Sequence, residues 1–155
     1  MISPESLRMY PFFGFLSGED ISKVAMVTDE ISWKEGDQII GIKEEAKYIY
    51  FLERGDINLH YKVVDELVSD KSKEFFVGDI SPGEPFGLSA LIEPYEYTAT
   101  AIAAEDSKGI VVDAKKLLAI TEEDKRLGFA LMQKVAKAIF ERLGQVRVEL
   151  VAARS

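Results

Sequence analysis

Two glycines four residues apart, set in the run Pro82-Gly83-Glu84-Pro85-Phe86-Gly87, constrain this chain more than any other feature. Glycine tolerates backbone turns and close approaches that a side chain forbids, and proline presets the entry to a turn. The run therefore reads as two tight turns whose backbone can approach a bound group closely. Leu88-Ser89-Ala90-Leu91 follows with no breaker, so a short helix beginning at Gly87 is expected. Amides left free at such a start attract anions, which makes the segment a candidate binding element as well as a turn.

The text on either side fits a β-rich body. From Glu30 to about Asp113, short runs of Ile, Val, Tyr and Phe are broken by Glu35-Gly36-Asp37, Glu53-Arg54-Gly55-Asp56, Asp70-Lys71 and Ser81-Pro82-Gly83. Repeated strands and turns at that spacing predict a sandwich or barrel. The best alternation, Ile49-Tyr50-Phe51-Leu52 followed by Ile57-Asn58-Leu59-His60-Tyr61, predicts a hairpin turning through Arg54-Gly55-Asp56. Before this body, Ser17 and Asp20 form a capping signal for a short helix carrying Ile21, Val24 and Ala25, which Phe12, Phe13, Phe15 and Leu16 should pack against the barrel. With 155 residues and 47% hydrophobic content, one domain spanning 1–155 is expected. Its parts are an N-terminal helical segment at 1–29, a β-barrel at 30–113 and C-terminal helices at 114–155.

Those helices carry their own pattern. Asp113 can cap a short helix through Leu117 and Leu118, and Thr121 with Asp124 repeats the capping signal before a long helix to about Ala153. Along it Phe129, Met132, Ala136, Ile139, Leu143, Val146 and Leu150 recur at alternating spacings of three and four, a coiled-coil seam. A second stripe, Leu127, Leu131, Val135 and Ala138, can hold the same helix against its own barrel. One face for self and one for a second copy predicts a homodimer. Arg142 and Arg147 flank the seam, with Glu141 and Glu149 as their nearest prospective partners.

The segment from Val77 to Thr100 resembles the phosphate-binding cassette of the cyclic nucleotide-binding domain family. That family writes it Pro-Gly-x-x-Phe-Gly-Glu, a short helix, then Pro-Arg-x-x-Thr. Pro82, Gly83, Phe86, Gly87, Ala90, Leu91 and Thr100 fall on this frame without a gap. Lys34-Glu35-Gly36-Asp37 and Tyr48 to Ile57 match more loosely, and a family turn glycine falls at Lys43, so that loop is expected to differ. The resemblance covers about residues 10 to 145. It implies a mainly β fold with flanking helices: a double-stranded β-helix (jelly-roll) barrel with a long C-terminal dimerisation helix. It also implies a non-enzymatic, ligand-sensing regulatory module similar to the effector domain of catabolite activator-like regulators. In those regulators a DNA-binding domain would begin where this chain ends at Ser155. The expectation is therefore signalling to a separate protein partner without direct DNA binding, or else a sequence that is a piece of a longer protein.

Two positions depart from the frame. Leu88 stands where the family has its glutamate, and Tyr97 where it has its arginine, while Thr98 keeps the small polar position that follows. Losing a bidentate guanidinium contact costs about 1.5–3 kcal/mol, and leucine accepts no hydrogen bond from a ribose hydroxyl. Both changes push the pocket towards something less anionic and less sugar-like. Cyclic AMP and cyclic GMP are thus expected to be weak ligands or none, and no other cofactor is expected. A small-molecule effector would sit among Gly87, Leu88, Ser89, Ala90, Tyr97 and Thr98, facing the long helix near Arg126 to Ala130. Tyr97 can either stack on a flat ligand or fill the vacated site with its own ring. Ser89 and Thr98 can either bond a ligand or bond nearby backbone. The alternative function is a structural or interaction protein whose barrel no longer binds a small molecule.

Composition narrows the rest. No cysteine occurs, which excludes disulfides, thiol catalysis and cysteine-ligated metals, and fits a reducing cytoplasm. A formal charge of −8 disfavours a nucleic-acid partner. Apolar runs such as Tyr10 to Leu16 are too short to cross a bilayer. His60 is the one histidine, so no two-histidine metal site can form, and no catalytic or metal-binding residue is assigned. Arg54-Gly55-Asp56 matches an adhesion tripeptide but has a sufficient role as a turn.

Overall fold

A computed structural model describes residues 1–64 and 72–155. Strands β1 (Thr28–Trp33), β8 (Ser107–Asp113), β3 (Tyr48–Arg54) and β6 (Pro85–Phe86) form one antiparallel sheet, in that order. Strands β2 (Gln38–Ile40), β7 (Thr100–Ala103), β4 (Ile57–Val64) and β5 (Ser72–Ile80) form the other. Both sheets contribute to a single core, Tyr50, Leu52 and Ile110 from the first and Ile40, Ile57 and Ala101 from the second. The jelly-roll layout holds, although among the described residues no ladder joins the two sheets into a closed barrel.

The expected hairpin through Arg54-Gly55-Asp56 is not one. β3 pairs with β8 and β6, whereas β4 pairs with β5 and β7, so this turn carries the chain from one sheet to the other. Gly55 makes the crossing with φ of 113°, and an added Cβ there would overlap Ser107. The Ser107 hydroxyl accepts from the Asp56 amide at 3.1 Å and donates to the Glu105 carbonyl at 2.9 Å, holding the corner. The true hairpin joins β4 to β5; the expected break at Asp70-Lys71 lies outside the described residues.

Alternation in β3 also fails, for a reason the packing shows. Ile49 to Leu52 are all buried, because both faces of the strand are covered. Phe51 packs against Tyr10, Phe12 and Phe13 of the N-terminal segment, while Tyr50 turns to Trp33 and Phe86.

The helical flanks follow their caps. After a short α1 (Pro4–Arg8), Ser17 caps α2 (Gly18–Met26), accepting from the Asp20 amide and donating to its carboxylate. The buried Asp20 also meets Arg126 at 3.1 Å. The Ser17 hydrogen bond, with help from Arg126, holds its carboxyl below the usual range. Asp113 caps α3 (Ala114–Glu123) at the Lys116 amide, and Asp124 caps α4 (Lys125–Ala153) at the Leu127 amide. Thr121 does not share in that cap. It lies inside α3, donates to the Leu118 carbonyl at 2.7 Å, and packs against Gly128 where the two helices meet. Along α4, Leu127, Leu131 and Val135 are buried, whereas the seam residues are exposed, Phe129 by 69%. No helix among the described residues is long and apolar enough to cross a membrane.

Gly109 is the tightest point of the first sheet, since an added Cβ would overlap the Phe51 carbonyl and press on the Trp33 ring. Gly109→Ala is expected to destabilise the fold by about 1–3 kcal/mol in urea denaturation, as overpacking generally does.

Candidate functional site

The cassette is bolted to β3. The Gly83 amide donates to the Leu52 carbonyl at 2.7 Å, and Phe86 pairs with Tyr50 in the ladder while its ring stacks on the Tyr50 ring, 5.3 Å between centroids. Glu84 closes the first turn: its carboxylate accepts from the Ser81 amide at 3.0 Å, and its own amide donates to the Ser81 carbonyl. Gly83 and Gly87 adopt left-handed φ of 89° and 81°, the conformation that only glycine takes without strain. A short 3₁₀ turn, Leu88–Leu91, follows Gly87 as expected. Ala90 and Leu91 from this turn are buried in the core.

Tyr97 is turned inward and is 6% exposed. Its hydroxyl donates to the Tyr48 carbonyl at 2.7 Å and accepts from the Tyr48 amide at 3.3 Å. The ring lies so close to Gly87 that a Cβ there would press on both Tyr97 and the Tyr48 carbonyl. Burial pushes the Tyr97 phenol up, against the pull of the backbone hydrogen bonds, and burial raises its neighbour Tyr50 to about 12. At the position matched to the family arginine there is thus a dry ring pinned to β3. The loop beneath is zipped to it: the Lys43 amide donates to the Tyr97 carbonyl and the Tyr97 amide to the Glu44 carbonyl. Lys43 takes φ of 70°, so the left-handed turn a glycine would supply is kept by lysine, and Thr100 Oγ1 accepts from the Ile42 amide at 3.0 Å.

A cavity of about 540 Å³ opens beside this cassette. Its walls are the second sheet, the run from Glu84 to Ser89, the loop from Ile92 to Ala99, and α4 between Ala138 and Val146. Gly87, Leu88, Ser89, Tyr97 and Thr98 all border it, while Ala90 does not. The Ser89 and Thr98 hydroxyls bond no described residue, so neither is spent on nearby backbone. The helix face that closes the cavity lies about four turns beyond the expected one. Arg126, at the expected place, is engaged instead by Asp20 and Asp124.

Sequence reasoning also misplaced Arg142. Instead of pairing with Glu141, it crosses the cavity edge to meet Glu84 at 3.1 Å and donates to the Asp79 carbonyl at 3.1 Å. Its position beside the seam was a hint that it lies near an interface, but nothing local reveals a partner 58 positions away. His60 lies on β4 with Glu74 at 3.6 Å and Phe76 edge-on, and the described residues contain no group of three prospective metal ligands.

Fold and cassette together have the form of a regulatory domain of the cyclic nucleotide-binding type. The pattern of the family described as "Cyclic nucleotide-binding domain" matches residues 30–124, and the chain belongs to that family. Among solved structures it is similar to a candidate cyclic nucleotide-binding protein from Geobacter metallireducens GS-15, with 34% identity, 92% of this chain and 99% of that one covered, and a TM-score of 0.79. It is also similar to the sensor domain of the transcriptional regulator DNR from Pseudomonas aeruginosa, with 18% identity, coverage of 90% and 95%, and a TM-score of 0.69. A third is a cAMP-bound mutant of the regulatory subunit of a cAMP-independent protein kinase A from Trypanosoma brucei. It shows 16% identity, coverage of 77% and 44%, and a TM-score of 0.61. The last two show the shared fold.

Tyr97→Phe removes the hydroxyl that ties this ring to Tyr48 and leaves two backbone groups short of a partner. A loss of about 1–3 kcal/mol is expected in chemical denaturation.

Proposed function

We propose that this chain is a non-enzymatic, small-molecule-sensing module whose cyclic-phosphate grip is replaced, and that it works as a homodimer through α4. The observation that carries the reading is the cavity of about 540 Å³ retained beside a cassette with Leu88 and Tyr97 at its two gripping positions. A drug-sized site is still present, but the groups that would hold a cyclic phosphate are not. The trypanosomal neighbour supports the logic: that subunit is described as cAMP-independent, yet a triple mutant of it, one change introducing an arginine, is bound to cAMP.

The signal would pass through α4. This helix is fastened to the core by Leu127, Leu131 and Val135, forms one cavity wall, and is strapped to the cassette by Arg142–Glu84. A ligand that favours one packing of that wall shifts the helix, and the exposed seam would carry the shift to a second copy. The effect would then reach a separate protein partner in the cytoplasm; the net charge of −8 disfavours DNA as that partner. A second reading, a structural or interaction protein without a ligand, draws on Tyr97, whose inward ring fills the arginine's place.

Calorimetry with cyclic AMP and cyclic GMP at millimolar concentration is expected to show no micromolar binding. The paired change Leu88→Glu with Tyr97→Arg is expected to gain roughly tenfold or more in cyclic AMP affinity. Micromolar binding by the unaltered chain would overturn the altered-grip reading. For the assembly, sedimentation velocity is expected to show a dimer. Phe129→Glu with Leu143→Glu should reduce it to monomer while leaving the circular dichroism spectrum unchanged, because both side chains are exposed on the isolated fold.

A further inference from the structure

Resting on the sensing role proposed above, we infer that the cavity takes an uncharged, largely apolar small molecule and discriminates against phosphate esters and other anions. Its wall is built from Ile40, Leu59 and Val77 of the second sheet, Leu88 of the cassette, and Ile139 and Val146 of α4. Apolar surface of that extent favours a ligand that leaves water without shedding a tightly held hydration shell.

The charged groups on the lining argue the same way. They are Glu84, Glu93, Glu96, Glu141 and Arg142, four acids against one base. Arg142 is already committed, to the Glu84 carboxylate and the Asp79 carbonyl. Glu93, Glu96 and Glu141 make no ion pair with a described residue. An entering anion therefore meets three unpaired carboxylates and a guanidinium it could win only by unseating Glu84. Those three carboxylates are exposed at the rim, where water screens them, so they repel an anion without providing a dry counterion for a cation. A neutral ligand avoids both costs. Orientation comes from the unspent hydroxyls of Ser89 and Thr98, each able to donate or accept one bond to a single polar point on an apolar body.

A matched pair of fluorescent probes tests this on the full chain: N-phenyl-1-naphthylamine, which is neutral, and 8-anilino-1-naphthalenesulfonate, the same rings bearing a sulfonate. The neutral probe is expected to bind at least tenfold tighter at low salt, and the gap is expected to narrow as salt screens the rim. Thr98→Trp places a bulky ring at an exposed position on the cavity mouth, and Val77→Trp places one on the cavity wall from half-buried Val77 of β5. Either variant, folded by circular dichroism, should weaken the neutral probe at least fivefold. Phe75→Ser, which removes an exposed apolar side chain outside the cavity lining, should leave it unchanged. Equal or tighter binding of the sulfonate, still blocked by Thr98→Trp, would overturn the ligand class and leave the sensing role standing. Failure of the neutral probe to bind, or binding indifferent to both blocking variants, would overturn the ligand class and the sensing role together.

Discussion

Five residues of one strand, Tyr48 to Leu52, anchor everything that positions the site. The Leu52 carbonyl receives the Gly83 amide, Tyr50 is both ladder partner and stacking surface for Phe86, and Tyr48 holds the Tyr97 hydroxyl through both its backbone groups. Each is an interaction between parts of the chain at least 30 residues apart, so the cassette has no shape of its own to fall back on. Its geometry is borrowed from β3, and β3 is rigid because both its faces are dry. Phe51 is clamped by the aromatic N-terminal segment on one side, and Tyr50 by Trp33 on the other. Burial of this kind leaves little freedom for the cassette to move independently of the sheet. In the proposed mechanism the wall that moves is the one formed by α4.

That helix carries three stripes with different obligations. Leu127, Leu131 and Val135 are sunk in the core and fix its first half. Ile139, Arg142 and Val146 face the cavity, and Ile139 and Val146 belong to the exposed seam as well. In the proposed dimer those two side chains would touch the ligand on one edge and the second helix on the other. The Arg142–Glu84 bridge sits at that junction and is partly buried, with both side chains about 30% exposed. Such a pair adds little net stability, because desolvation offsets most of its attraction. Its stronger effect is to specify where the helix lies. A bridge that is weak in energy and sharp in geometry would suit the proposed signalling, in which a ligand shifts this wall.

Much of this was legible because the relevant rules are local. The two glycines announced left-handed turns, Ser17, Asp113 and Asp124 announced helix starts, and the spacing of Leu127, Leu131 and Val135 announced a buried stripe. What was illegible depended on distant partners. The turn at Gly55 looks like a hairpin in sequence because a hairpin and a sheet-to-sheet crossing use the same residues; only the register of β8 decides between them. Thr121 reads as a cap until Gly128 packs against it, and Lys43 reads as a lost turn because a glycine preference is energetic and not absolute. Ion pairing followed the same rule. Arg142 has acidic neighbours on its own helix, yet those exposed contacts offer little, and the half-buried Glu84 with an available carbonyl beside it offers more.

The separation of frame from grip explains how a binding cassette can keep its form while changing its chemistry. Gly83 and Gly87 answer to backbone angles, Phe86 and Leu91 to the core, and Thr100 to the Ile42 amide; a change at any of them costs folding. The frame asks less of Leu88, which only packs at the edge of the core, while Tyr97 serves it through its own hydroxyl's bonds to Tyr48. A glutamate or an arginine there has its full value only when a ligand supplies the other half of the contact, and without one each is a charge at the edge of an apolar cavity. Leucine adds to the wall, and tyrosine satisfies its one polar atom on Tyr48. On the proposed reading, two charged groups that depend on a ligand give way to two that are stable without it. A cavity without that charge would be a better host for an apolar molecule than an anion site.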